Sequence, residues 1–438
     1  THRNSGLKNW ALGFTANMTD SYQNDMVASG TNRTTSLAGA IATLANGYEV
    51  DALAATDAYD MIPVRDWRAI IGLQSHMIGL VPTLPGQPED QAPTNEYIGV
   101  TENPELSGDQ SYYDIGVGGP LDQTFARRTT GSRYDYVINF GANFSDIVFI
   151  GANLGITSLN YGHQYYIRET SQDSDFFETG FNSLRYSYSY NATGTGVYGK
   201  FGVIVLPAAG LRLGAAVQTP TAVTISESWQ FSAEQTSYNS DSGSESSPLG
   251  EYRYGLVSPF RFNVGAAYTF GNIGLISLDY EMCSYGSARF REIGTNDNSA
   301  FEAVNSDIRT VLGSSHELRA GVEVKPVQAL AIRAGYNFST SPIPSDIDYE
   351  NQYLWERTDS KHSNLHSVAL GLGYSSKGSF FADIAARMTK YADTYVYPYE
   401  YYTYDSEWNQ YVNTDIPTPE IRTRRTLWNV LLTIGFRF

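Results

Sequence analysis

Apolar and polar residues take turns along most of this chain, in runs bounded by Gly, Pro, Ser, Asn and Asp. In the last run, Trp428, Val430, Leu432, Ile434, Phe436 and Phe438 share one parity, and Asn429, Leu431, Thr433, Gly435 and Arg437 share the other. A period of two places such sets on opposite faces of an extended strand. The same division recurs in Leu318, Ala320, Val322 and Val324 against Arg319, Gly321 and Glu323, and in Ile332, Ala334, Tyr336 and Phe338 against Arg333, Gly335 and Asn337. Read this way, the sequence predicts twelve strands, at about 7–18, 133–144, 147–161, 196–206, 210–219, 260–270, 273–285, 316–325, 329–339, 364–375, 379–391 and 425–438.

Connections between them alternate in length. Ser145-Asp146, Pro207 to Ala209, Gly271-Asn272, Pro326 to Gln328 and Ser376 to Gly378 are tight, whereas 162–195, 220–259, 286–315, 340–363 and 392–424 are long. Strands of this length, joined alternately by short turns and long loops, are the pattern of an all-β transmembrane antiparallel barrel. No run reaches the roughly 18 apolar residues of a spanning helix, and a mean hydropathy of -0.31 is compatible with strands that show lipid only every second residue. The expected setting is the bacterial outer membrane, with the long loops extracellular and lipid and lipopolysaccharide as surroundings.

The segment 19–130 breaks the pattern. After Ser36, Leu37, Ile41 and Leu44 follow at helical spacing with Gly47 as a stop; after Pro63, Val64, Trp67, Ile70, Ile71 and Met77 do the same. Two or three short amphipathic helices are expected in this external loop, packed over the barrel mouth. The chain 1–438 thus reads as a single barrel with a helix-containing insertion at 19–130, whose few apolar residues suit an independent core poorly.

Composition agrees: 33 Tyr, 20 Phe and 40 Gly are β-formers and turn-formers. The long connections together with the segment 19–130 sum to a net charge of −24 against −17 for the whole chain, which leaves +7 on strands and tight turns. That acidic crown disfavours nucleic acid as a partner. The single Cys283 forms no internal disulfide, and no Cys/His spacing or nucleophile elbow suggests a metal, a cofactor or a catalytic group.

The stretches Tyr136 to Tyr161, Gly194 to Thr221 (ending RLGAAVQTPT), Phe260 to Glu281 and His316 to Phe338 resemble the FadL family of outer-membrane transporters for long-chain fatty acids and other hydrophobic compounds, nearest the branch often called haemin receptors. The resemblance implies a fourteen-stranded barrel plugged by an amino-terminal hatch with an Asn-Pro-Ala motif. That motif is missing and twelve strands are readable, so the hatch and first two strands are expected upstream of Thr1; a closed twelve-stranded barrel is the alternative. It also implies passive uptake of hydrophobic small molecules, with lateral exit at a kinked strand in the position of Leu7 to Met18, where Gly13 permits a kink. The rival reading is an accessory barrel without transport, held in a complex with other outer-membrane proteins.

Under the transport reading, Phe149, Leu275, Phe381 and Leu431 are the large apolar residues on lumen faces. Arg212, Arg319, Arg333, Arg387 and Arg437 point inward by the same parity, to hold a carboxylate or to brace against Asp279, Glu281, Glu323 and Asp383. Trp67, Tyr397, Tyr399, Tyr401, Tyr402 and Tyr404 form an external aromatic set for capture or docking, with loop packing as the ordinary alternative. His163, His316 and His362 lie near external strand ends without a second ligand at telling spacing, and Asp346 to Glu350 lacks a calcium-loop pattern.

Overall fold

In an extended chain each backbone N–H and C=O points sideways, so a strand in hydrocarbon needs a neighbour on both sides. The computed structural model describes residues 6–83, 95–106, 113–295, 297–343, 357–358, 364–376, 379–391, 394–405, 410–414 and 416–436. Among them a single antiparallel sheet of 17 strands curls into a barrel wall. Twelve of these carry it, numbered β1 (Leu7–Ser21), β2 (Leu121–Phe144), β3 (Val148–Ser171), β4 (Phe181–Ala208), β5 (Leu211–Gln218), β6 (Phe260–Phe270), β7 (Gly274–Ser284), β8 (Ser314–Val327), β9 (Leu330–Ser339), β10 (Leu365–Ser375), β11 (Phe380–Lys390) and β12 (Thr426–Phe436). All twelve runs read from the alternation are present, and each pairs with the next in chain order.

The tight turns have local causes. Ser145 and Asp146 both adopt positive φ, 60° and 56°, the conformation that a two-residue hairpin needs to match strand twist. Asn143 holds it by accepting from the Asp146 amide at 3.0 Å. Parity then sorts the side chains. Leu12, Phe14, Leu278, Leu370, Val430 and Leu432 stand on the outside, and Val430 keeps 71 % of its surface exposed. An apolar band this continuous is a surface for lipid rather than water. Aromatic residues edge it: Tyr268, Phe270, Tyr374, Phe380 and Phe436 beside the tight turns, and Tyr280, Tyr336, Phe338 and Trp428 toward the other end. No helix of the described residues is long and apolar enough to cross a membrane.

Three boundaries differ from the sequence reading. β2 and β3 stay in register from Phe144↔Val148 to Leu121↔Ser171, and β4 runs for 28 residues, roughly 90 Å at strand rise and far beyond a bilayer. The stretch 162–195 is therefore mostly ladder, as is 220–259, where Ala222–Ser237 pairs with β4 and Gly250–Val257. Within 19–130, Asn24–Asn32 pairs with the outer half of β2. These extensions carry Thr, Ser, Gln and Arg outward, so they lack the apolar parity that marked the lipid-level strands.

The helical expectation holds in kind: α1 (Leu37–Ala45), α2 (Val50–Ala54), α3 (Ala58–Met61) and α4 (Trp67–Gln74) lie in the 19–130 segment. Ser36 caps α1 by accepting from the Gly39 amide at 3.0 Å. A fifth helix, α5 (Glu302–Val311), lies in the 286–315 connection. The buried core sits in the strand extensions. There Leu37, Ile41, Ile70 and Ile71 pack with Leu121, Phe125, Ile167, Leu184, Tyr186 and Phe231.

Two edges remain. Among the described residues β1 and the Asn24–Asn32 strand pair only with β2, and β12 pairs only with β11. The register shifts of β1 fall at Leu7/Asn9 and Met18/Asp20, not at Gly13, which pairs with Asn139.

Leu370 stands at the middle of the outward row of β10 and Ala369 on the opposite face. Leu370→Arg is expected to lower the free energy of unfolding from vesicles by about 2–4 kcal/mol, whereas Ala369→Ser should change it by about 0.5 kcal/mol or less; denaturant titration of the inserted protein measures both.

Candidate functional site

The inward face is built largely of residues that leave space. Gly141, Gly151 and Gly202 face one another across β2, β3 and β4, and Gly214 meets Gly265 while Gly321 meets Gly335. This belt of absent side chains widens the interior at mid-wall.

Charge occupies the part of the interior between β6 and β11. Arg319 reaches Asp279 at 2.7 Å, Glu281 at 3.0 Å and Glu317 at 2.6 Å, and Arg261 adds a second cation to Glu281 at 3.3 Å. Arg333 bonds Glu323 at 2.7 Å and also Asp383. These pairs tie neighbouring strands together from within, the bracing alternative for both arginines. Among the described residues Arg387 has one long contact, to Asn429 Oδ1 at 3.4 Å, and Arg437 lies outside them.

Arg212 is placed differently. With Phe149 it lines a cavity of about 630 Å³ on the inner side of β3 to β7, together with Asn153, Lys200, Ile204, Asn263 and Asp279, the last already paired with Arg319. Phe149 and Ile204 are register partners and form an apolar pair; Arg212 and Lys200 make no hydrogen bond or ion pair among the described residues. The other lumen candidates stand apart. Leu275 lies near the tight-turn end opposite Glu323, Phe381 lies over Gly435, where a Cβ would come within 2.2 Å of its ring, and Leu431 is exposed on the edge strand β12. Sequence reading missed Lys200 and Ile204. The available signal was the run Val203-Ile204-Val205, apolar on both faces where a lipid-facing strand needs only one.

The aromatic set proposed for capture is mostly not on the surface. Trp67 is buried edge-on against Tyr59 and Phe231 and donates to the Ile62 carbonyl at 3.1 Å. Tyr399, Tyr401 and Tyr402 are buried as well, because the 398–402 segment closes over α1. Tyr397 is half-buried and bonds Glu420 at 2.8 Å; Tyr404 lies in a strand, and its side chain falls outside the described residues. His163 stacks on Tyr161 at 6.4 Å, His316 faces outward, and His362 and Asp346 to Glu350 lie outside the described residues. No group of metal-binding side chains occurs among those described. Beside Pro398 and Tyr399, the residues Phe125, Ile167, Arg33 and Arg422 bound a second cavity of about 660 Å³.

Two buried carboxyls fasten this region. Glu169, on the extension of β3, accepts from the Leu37 amide at 2.7 Å and from Gln123 at 2.6 Å. Glu102 accepts from the Gly99 amide at 2.8 Å and from the Tyr401 hydroxyl at 3.3 Å. Tyr401 also receives the Ser36 amide at 3.0 Å. Wall, α1 and the 398–402 segment therefore meet at one helix start, where the unpaired amides favour negative charge. Burial nevertheless pushes Glu169 up to about 8 and Glu102 up to about 6, from the usual 4.5.

A carboxyl raised on folding binds its proton more tightly in the folded chain. Its contribution is complete below the unfolded value and fades as pH rises through the folded one. The hydrogen-exchange protection factor of the Leu37 amide is expected to fall about tenfold between pH 5 and 8.5 in the native chain and to stay level in Glu169→Gln; equal protection across that range would contradict the assignment.

No protein-family model matches this chain, and no curated protein matches it. Among solved structures, a FadL homologue from Pseudomonas aeruginosa aligns with a TM-score of 0.41 and 10% identity, over 72% of this chain and 74% of its own. The toluene transporter TodX of Pseudomonas putida aligns at 0.37 and 11%, over 63% and 77%. The monoaromatic hydrocarbon channel CymD aligns at 0.35 and 11%, over 67% and 81%.

Proposed function

We propose that this protein is an outer-membrane channel for passive uptake of hydrophobic small molecules that carry an anionic end, long-chain fatty acids among them. The observation that carries the reading is the inner cavity, where the apolar pair Phe149 and Ile204 adjoins Arg212 and Lys200. Most other inward cations are already matched by acids, so these two are the ones a ligand carboxylate would meet. The larger cavity beside Tyr399 is the proposed point of entry, and the acidic connections around it are the face turned to the medium. The chain supplies no nucleotide-binding loop, so a concentration gradient drives passage.

The open edges of β1 and β12 bear on this reading. Eleven antiparallel steps separate them, so they run in opposite directions. In hydrocarbon each unpaired edge is costly. The same edges suit the rival reading, in which this chain is an accessory barrel without transport, a fixed subunit of a larger outer-membrane assembly.

Arg212→Ala combined with Lys200→Ala is expected to weaken binding of a fluorescent fatty acid about tenfold to a hundredfold. Binding of the matching hydrocarbon without a carboxylate should hardly change. Purified protein that excludes both probes, and that leaves the membrane under mild detergent in a fixed ratio with a second protein, would overturn the channel in favour of the accessory subunit.

A further inference from the structure

Where the lipid-facing rows end toward the long connections, the outward face changes chemistry. On β8 the outward series Val324, Val322, Ala320 and Leu318 is followed by His316, and on β10 Tyr374, Leu372, Leu370 and Val368 by His366. Lys390 ends the same face of β11 as the register partner of His366. All three side chains are exposed. Each imidazole is held by a tyrosine on the adjoining strand: the Tyr280 hydroxyl lies 2.7 Å from His316 Nδ1, and the Tyr336 hydroxyl 2.8 Å from His366 Nδ1. When the hydroxyl donates to Nδ1, the proton of the neutral ring sits on Nε2, so each tyrosine fixes an N–H donor on the far side of the ring. Phe338 adds an aromatic wall beside His366 at 5.1 Å. Neither Nε2 nor the Lys390 ammonium has a partner among the described residues, and Thr426, the register partner of Lys390, brings no acid.

Placement selects the occupant. Eight residues of tilted strand separate His316 from Val324, on the order of 20 Å of membrane depth, which sets the imidazoles where hydrocarbon gives way to headgroups. His316 and His366 stand two strands apart, roughly 10 Å across the sheet, and face away from the lumen. We propose that His316, His366 and Lys390 form a docking rim for the phosphate groups of an outer-leaflet glycolipid. In a chain of net charge −17 this patch is basic, and its donors point into the lipid layer, where a phosphate is the anion at that depth.

The inference rests on the membrane-spanning reading, and its test separates the two. The full chain is inserted into phosphatidylcholine vesicles doped with a bisphosphorylated glucosamine lipid or its dephosphorylated form. Insertion is scored by heat-modifiable gel mobility and retained lipid by native mass spectrometry after extraction. The phosphorylated form is expected to be retained about tenfold over the other, and His316→Gln with His366→Gln and Lys390→Gln removes the preference. Lys390→Gln or Tyr336→Phe alone should lower it about threefold, which keeps the test open if the triple variant does not fold. Equal retention of both lipids by inserted protein, or a preference that survives in the variants, would overturn the rim; failure to insert at all would overturn the spanning reading with it.

Discussion

The structure depends on the cost of an unpaired peptide group in hydrocarbon. Each N–H and C=O at lipid depth must be met by a neighbouring strand, and the side chains between them divide by parity into those that face lipid and those that do not. The alternating connections, the glycine belt and the inward placement of Arg319 and Arg333 follow from that division. It also explains why the two edges matter: among the described residues β1 and β12 present peptide groups along one side, where every other wall strand at lipid depth is paired on both.

Beyond the lipid level the constraint relaxes and a different economy takes over. β2, β3 and β4 continue as a ladder in water, polar outside and apolar inside, and the helices α1 and α4 fill that inner face. The result is a core of ordinary globular type carried on the end of a barrel wall. Its fastening is polar. Glu169, Glu102, Ser36 and Tyr401 meet where α1 starts, and at Gly39 a Cβ would lie 2.0 Å from Glu102 Oε1 and 2.3 Å from the Tyr401 hydroxyl, so the close approach requires glycine. The interior thus has two zones, a braced, charged one between β6 and β11 and a cavity between β3 and β7 where cations and apolar groups adjoin.

Much of the wall was legible because its outward residues have one job. Val322, Leu370 and Leu432 must be apolar, their neighbours need not be, and the period of two survives in the sequence. The extensions were not legible, since Thr124, Gln164 and Ser187 obey no lipid constraint and read as loop. Candidate residues fared unevenly for the same reason. Parity placed Arg212 and Phe149 on the inner face and named the acids that brace Arg319 and Arg333. Parity says nothing of depth, however, so it did not separate Phe149 from Leu275, and aromatic content alone did not show that Tyr399 and Tyr401 turn inward onto α1.

One face of the wall meets hydrocarbon and the other an enclosed interior. Spin labels placed singly at positions 368 to 373 of β10, in vesicles, test it through their collision rates with oxygen and with a water-soluble nickel chelate. Oxygen contact should peak at 368, 370 and 372 and nickel contact at 369, 371 and 373. Equal contact with both reagents along the strand, or a lipid signal on the glycine-bearing face, would contradict it.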